Sequence, residues 1–373
     1  MNSVLFLSVM NGSAWGGSEE LWFQSALWLA KNNYKVGVCC FEWPGKKDKL
    51  KQLKDAGCEL YLLPGKNETK TIWGKWKLNK AFKTVPFKDY EKIIVNQGGW
   101  KDLAYAPFAG LYKKLLSYTL IYHNYESNFI LSGQKKNSLS NWVKNASENI
   151  AASGNVFNVM KDEYLIDVPR QQILINPITF EVPGLATPFI FNSGDKIIFA
   201  MLAALDTERK AQDILIKTLS ADKWKSRNWE LHLYGEGKDR KMLQDLITNK
   251  QMQSKIFLKG HTTKVKQVLT ESSIVLQITH KDAMPISVME AMAVGRPVLV
   301  SNVGDMPVWI KEEENGWVVN EVNEESINLS LEKVWNEKEK WIEKGRKSFE
   351  IFKKKYPSDP VRYFLQQCGI IKN

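Results

Sequence analysis

Cysteine and histidine are scarce in this chain, with four of each in 373 residues. Cys39, Cys40, Cys58 and Cys368 show neither a metal-ligand spacing nor a disulfide framework, which excludes zinc modules and cystine-stapled scaffolds. Cys39 and Cys40 are adjacent within an apolar run and read as small core residues. No Asp-x-Asp occurs, so the commonest carboxylate pair for a metal-bound diphosphate has no candidate, and we expect no metal site. No apolar run approaches the ~20 residues needed to cross a bilayer. The opening MNSVLFLSVM lacks the basic start and long apolar core of a secretory signal. Repeats and low-complexity tracts are missing too. A reduced, cytoplasmic protein is the expectation, with peripheral contact at the inner face of a membrane left open.

What is present points to two domains. The chain is 44% hydrophobic and 25% charged, ample for two sizeable cores. A net charge of +11 and a pI near 9.2 favour an acidic partner: a nucleotide diphosphate, an anionic membrane or nucleic acid. No nucleic-acid-binding module accompanies the charge, so we expect no nucleic-acid partner.

Short apolar runs alternate with helical patterns along the whole chain. Residues 3–9 form a run suited to a buried parallel strand, residues 11–17 a small-residue loop, residues 18–31 a helix, and residues 36–41 the next strand. This is the first unit of a doubly wound α/β sheet. Further strands are expected at 61–63, 93–95 and 120–122. Residues 183–195 carry linker signals, and the alternation restarts at 196–200. Gly16 and Gly17 would let a ligand approach backbone near a helix start. His123 falls at the C-terminal end of a strand, the edge that faces a ligand crevice.

The richest stretch is His280 to Pro297, HKDAMPISVMEAMAVGRP. Pro285 is placed to open a helix, and Ile286, Met289, Met292 and Ala293 give it one apolar face. Gly295 ends it, with Arg296 near its negative end and Pro297 preventing continuation. The amides of Met284, Ile286 and Ser287 are helix-start donors suited to phosphate oxygens. Asp282 precedes the helix and Glu290 lies two turns inside it. A diphosphate flanked by hydroxyl-bearing groups, as in a nucleotide sugar, fits that order.

An acidic residue, seven residues, Glu, then Ala-Met-Ala, Gly and Pro-Val resembles the signature of family 4 glycosyltransferases. The resemblance implies the GT-B fold, an α/β architecture of two doubly wound Rossmann-like domains facing across a cleft. It places an acceptor-side domain at 1–185, whose last strands 149–153 and 173–178 resemble, and a donor domain at 196–350, with a C-terminal helix, 356–368, crossing back. In that family the first acid contacts the transferred sugar and the second holds the ribose. Asp282 replaces the usual Glu, one methylene shorter, and Glu290 matches. GGSE before an apolar helix is similar to the family's N-terminal motif, where the glycines lie near the donor phosphates, so Gly16 and Gly17 are candidates. ALDTERKAQDILIK resembles the segment whose Arg and Lys clamp the phosphates. Lys210 matches the Lys, but the Arg position falls on Ala204, with Arg209 nearby as a substitute. Gly235 follows in family order, and His261 lies where members seat the nucleobase. His123 resembles a histidine placed near the reacting sugar. SNVGDMP resembles the family's Gly-rich turn, and Val308, the residue after it, occupies a position where Glu is common.

The resemblance implies a retaining, metal-independent transfer from a UDP- or GDP-linked sugar, as co-substrate rather than cofactor, to a glycan or lipid-linked acceptor. Assembly of a surface glycan is the implied setting. The alternative is a degenerate GT-B subunit that binds a nucleotide sugar or a partner enzyme without catalysing. A glycoside hydrolase fits less well, because its carboxylates lie ~5–10 Å apart, whereas eight helical residues advance about 12 Å. A nucleotide-sugar epimerase is a weaker rival. Finally, residues 66–83 interleave lysines with Trp73, Trp76 and Phe82, a mix that suits an anionic membrane or a helix with its aromatics in the core.

Overall fold

The computed structural model describes residues 2–10, 17–65, 71–104, 107–123, 131, 133–186, 189 and 195–372. The chain divides into two units, Met1–Pro177 with Pro357–Asn373, and Ile178–Tyr356. The first boundary lies upstream of the expected 185, and the second falls at 356/357.

The first unit holds seven strands: β1 Ser3–Ser8, β2 Lys35–Phe41, β3 Glu59–Leu63, β4 Lys92–Gln97, β5 Tyr118–Tyr122, β6 Glu148–Ala151 and β7 Gln171–Ile173. They pair in parallel in the order β3-β2-β1-β4-β5-β6-β7. The central strands are buried on both faces, which is why they read as unbroken apolar runs. Alternation sends Leu5 and Leu7 into one core and Val4 and Phe6 into the other. Helix α1 (Gly17–Lys31) fills the second core with Leu21, Ala26 and Leu29. The C-terminal helix Pro360–Gln367 joins it there through Phe364 and Leu365. Asp359 caps that helix, accepting from the Arg362 N–H at 2.9 Å, and the Gln367 amide donates to the Ile173 carbonyl. The last strand ends at Ile173, short of the expected Ile178. Pro177 offers no N–H and restricts Asn176 before it.

The second unit holds β8 Ile197–Leu202, β9 Trp229–Tyr234, β10 Ile256–Gly260, β11 Ile274–Gln277, β12 Val298–Ser301 and β13 Gly316–Val319. These six are parallel in the order β10-β9-β8-β11-β12-β13. Strand order reverses between β8 and β11, as it does between β1 and β4, and ligands in open α/β sheets bind beyond the strand ends at such points. The core under this sheet is built on Phe199, Leu231, Leu276, Leu299 and Trp317.

The helix of the signature runs from Ile286 to Ala293. Pro285 is its N-cap, with ψ 130°, not its first helical residue: the ring fixes φ alone, which extended backbone satisfies equally well. The helix is buried almost all round rather than on one face, because the Trp341–Lys355 helix covers it. Gly295 and Arg296 close it, their N–H groups bonding back to the Met292 and Ala291 carbonyls. The Arg296 guanidinium is buried, donating to the carbonyls of Thr270, Ser272 and Val294 and lying over the Phe189 ring. Burial lowers its pKa to about 10.

Candidate functional site

Beyond the end of β8 the chain makes a single turn of helix, Thr207–Lys210, and Ala211 breaks it in the left-handed region. The Asp239 carboxylate accepts from the Thr207 N–H at 2.7 Å and its hydroxyl at 3.0 Å, which lowers the Asp239 pKa and secures the start of the turn. The Arg209 carbonyl accepts from the His280 N–H at 2.8 Å and the Thr279 hydroxyl at 2.6 Å. These bonds stitch the turn to the loop that follows β11. The result is a close ion pair between buried Lys210 and Asp282, 72 residues apart in sequence.

Two glycine loops make this closeness feasible. Gly235, at φ +140°, follows β9, and a Cβ there would sit 2.0 Å from the Ala203 carbonyl oxygen. Gly304, at φ +58°, backs the Asp282 loop, where a Cβ would meet the Ala283 oxygen at 2.0 Å and the Asp282 oxygen at 2.5 Å. Glycine is required at both. The Asp305 N–H then donates to the Ala283 carbonyl at 2.8 Å, holding the loop before Met284 and Pro285.

At the helix start the amides of Ile286 and Ser287 have no intrahelical acceptor, whereas Val288 donates to the Pro285 carbonyl. The Ser287 hydroxyl donates to the Gln277 side chain at 3.1 Å. One turn further, Glu290 is 3% exposed. Its Oε1 accepts from the Thr179 N–H at 2.9 Å and the Thr179 hydroxyl at 2.5 Å, and Oε2 has no hydrogen-bond donor among the described residues. Burial raises the Glu290 pKa and the Thr179 bonds oppose the rise. Above the helix the Tyr356 hydroxyl accepts from the Ile178 N–H at 2.9 Å, fixing the approach to Thr179.

The structure thus gathers Lys210, Asp282, Met284, Pro285, Ile286, Ser287 and Glu290 along one loop and helix at the switch point, with Gly235 on the neighbouring loop. His261 follows β10, is exposed, and makes no hydrogen bond or ion pair with any of them among the described residues. Ala204 and Arg209 are both exposed, and the Arg209 side chain makes no ion pair among the described residues. Val308 is 52% exposed. Thr179, Asp239 and Gly304 carry the site's support and were missed in sequence. Only Gly304 left a signal there, as the glycine of SNVGDMP.

The first unit has its own cluster at the strand ends. His123 lies just past β5, and its Nε2 is 2.7 Å from Oδ1 of buried Asn96, at the end of β4. An oxygen partner makes Nε2 the protonated nitrogen and leaves Nδ1 to accept. Burial lowers the His123 pKa from 6.5 to about 4, so the ring is neutral at pH 7. Gly17 begins α1, and Gly16 lies outside the described residues. Just inside α1, Glu19 is fully buried, accepting from the Ser8 hydroxyl at 2.9 Å and the Trp22 indole, and lies 3.8 Å from buried Lys46. Burial raises the Glu19 pKa against these partners. Among the described residues no group of three or more His, Cys, Asp and Glu side chains is placed to hold a metal ion. No helix there is long and apolar enough to cross a membrane.

Comparison with known proteins shows what the chain is similar to. Residues 187–348 match the family described as glycosyl transferases group 1. The poly(ribitol-phosphate) alpha-N-acetylglucosaminyltransferase of Staphylococcus aureus (strain COL) is 24% identical over 253 residues, 67% of this chain and 50% of that protein. The poly(glycerol-phosphate) alpha-glucosyltransferase of Bacillus subtilis (strain 168) is 22% identical over 204 residues, 52% of this chain and 29% of that one. The matched stretch therefore spans half or less of these relatives. Anabaena HepE, solved in complex with UDP, superposes with a TM-score of 0.75 at 16% identity, covering 98% of this chain and 99% of its own. Residues 187–348 are similar to the group 1 glycosyltransferases, and the two parallel sheets match the GT-B fold of the solved neighbours.

Proposed function

We propose that the chain is a retaining glycosyltransferase that takes a sugar from a nucleotide diphosphate, UDP in the first instance, and passes it to a hydroxyl of a surface glycan. The observation that carries this reading is the convergence of Lys210, Asp282 and the helix-start amides, with Glu290 one turn beyond. In this reading the diphosphate sits on the amides of Ile286 and Ser287, where donors and helix dipole favour negative charge. Lys210 turns from Asp282 to the phosphates and stabilises the leaving group, and Asp282 is freed to orient the sugar hydroxyls. Glu290 Oε2 accepts from a ribose hydroxyl. The bond from the anomeric carbon to the diphosphate breaks and one to the acceptor oxygen forms. The acceptor's proton leaves on the released diphosphate.

UDP is favoured because it is the nucleotide named with HepE, and a polyol-phosphate polymer is the first acceptor to try because two relatives are named for such polymers. We further propose that no divalent metal is needed, since amides and Lys210 supply the positive potential. The noncatalytic alternative draws on Ala204, which leaves the phosphates one arginine short. The test is incubation with UDP- and GDP-sugars and poly(ribitol phosphate) or poly(glycerol phosphate), with and without chelator, reading product anomers by NMR. Chelator-resistant transfer with the donor's anomeric configuration supports the proposal. Inversion refutes the retaining assignment, and donor binding without transfer to any acceptor favours the noncatalytic reading.

A further inference from the structure

The helix Ile72–Lys83 begins at the Thr71 cap, whose hydroxyl accepts from the Gly74 N–H at 3.0 Å. Gly74, Leu78 and Phe82 face inward, and Phe82 packs edge-to-face on Phe108 at 5.2 Å. The opposite face is apolar at its N-terminal end and uncovered: Ile72 is 87% exposed, Trp73 73% and Trp76 54%. Trp73 and Trp76 pack edge-to-face at 5.7 Å, and Lys80 lies 5.2 Å from the Trp76 ring. At ~100° per residue the three apolar side chains fall within about 100° of arc, with Lys75 on one flank and Lys77 on the other. The helix contains four lysines and no acid.

We propose that this face docks on an anionic lipid surface. Indole rings belong at the level of headgroups, apolar on one side and hydrated on the other. Lysines at the edges of an apolar stripe reach phosphates while their stems lie along the hydrocarbon boundary. The charge complements an anionic leaflet, and the +11 of the whole chain adds to it. A protein partner fits less well, because the centres of protein interfaces are depleted in lysine. Single-stranded nucleic acid fits less well too, because an edge-to-face indole pair offers no common plane for successive bases. The proposal stands apart from the sugar-transfer reading, as it uses none of the donor-site residues.

The experiment is vesicle flotation of the full chain, with phosphatidylglycerol–phosphatidylcholine vesicles beside pure phosphatidylcholine. The wild type should float with the anionic vesicles, fail to float with the neutral ones, and come off as salt is raised. The triple variant Ile72→Ser, Trp73→Ser, Trp76→Ser and the triple variant Lys75→Glu, Lys77→Glu, Lys80→Glu should each lose more than tenfold in partitioning. Unchanged melting temperature and unchanged UDP-sugar binding would separate that loss from damage elsewhere. No flotation of the wild type, or flotation of both variants at its level, overturns the proposal. So does a concentration-dependent dimer, abolished by the serine variant, in a chain that ignores vesicles. Oligonucleotide binding that vesicles do not compete would overturn it as well.

Discussion

Glu290 is a buried carboxylate with one oxygen saturated by Thr179 and the other without a donor among the described residues. Burying such a group is costly unless its bonds are made, and a ribose hydroxyl would complete the set. Lys210 and Asp282 offset one another's charge in the same way, and in the proposed reading a diphosphate would take Asp282's place beside Lys210. His123 carries its own signature in pH. Its folded pKa, about 4, lies below the ordinary 6.5, so between those values the unfolded chain binds a proton that the folded one refuses. Its contribution is therefore full above pH 6.5 and is lost as pH falls toward 4. We expect the wild type to lose stability between pH 7 and pH 5, and His123→Gln to lose less over that interval, in urea melts at both pH values. An equal loss in the two proteins would show that His123 is not protected as described.

At the scale of elements, the proposed donor site is a set of loops held by backbone contacts. Gly304→Ala places a methyl group where the Ala283 and Asp282 oxygens already are, at a left-handed φ. Left-handed backbone alone costs about 1–2 kcal/mol for a non-glycine residue, and the clash adds to it. The variant should melt earlier and lose donor binding, because Asp282 shifts with its loop. Calorimetric melting with titration of UDP-sugar would detect both. How far these elements could be read from sequence follows from the range of the forces involved. The strands were legible because burial on both faces leaves continuous apolar runs, as in SVLFLS and VLVS. The signature helix was legible from its Pro, its periodicity and its Gly. Its environment was not: Thr179 reaches Glu290 across 111 residues, and Asn96 reaches His123 across 27, with nothing local to announce either. In the helix Ile72–Lys83 the sequence left the three aromatics unsorted, and packing sends Phe82 inward while Trp73 and Trp76 stay out.

At the scale of the molecule, two doubly wound sheets share one chain, and the last residues return to the first sheet. Phe364 and Leu365 complete the core against α1, so the first unit depends on the end of the sequence. Phe364→Ala should cost about 3–5 kcal/mol, a typical penalty for emptying a buried aromatic site. Guanidinium denaturation followed by intrinsic fluorescence should reveal it as early melting of the first unit. A change confined to the second unit would contradict that placement. The central claim concerns the second unit: that it holds a nucleotide-sugar donor through Glu290 and Lys210. Thermal melting against a panel of UDP- and GDP-sugars tests this most directly, with Glu290→Ala and Lys210→Ala beside the wild type, since a ligand raises apparent stability as the logarithm of its concentration over Kd. The account predicts a concentration-dependent rise for at least one donor, absent in both variants. No rise at millimolar donor, or a rise that survives both substitutions, would contradict it.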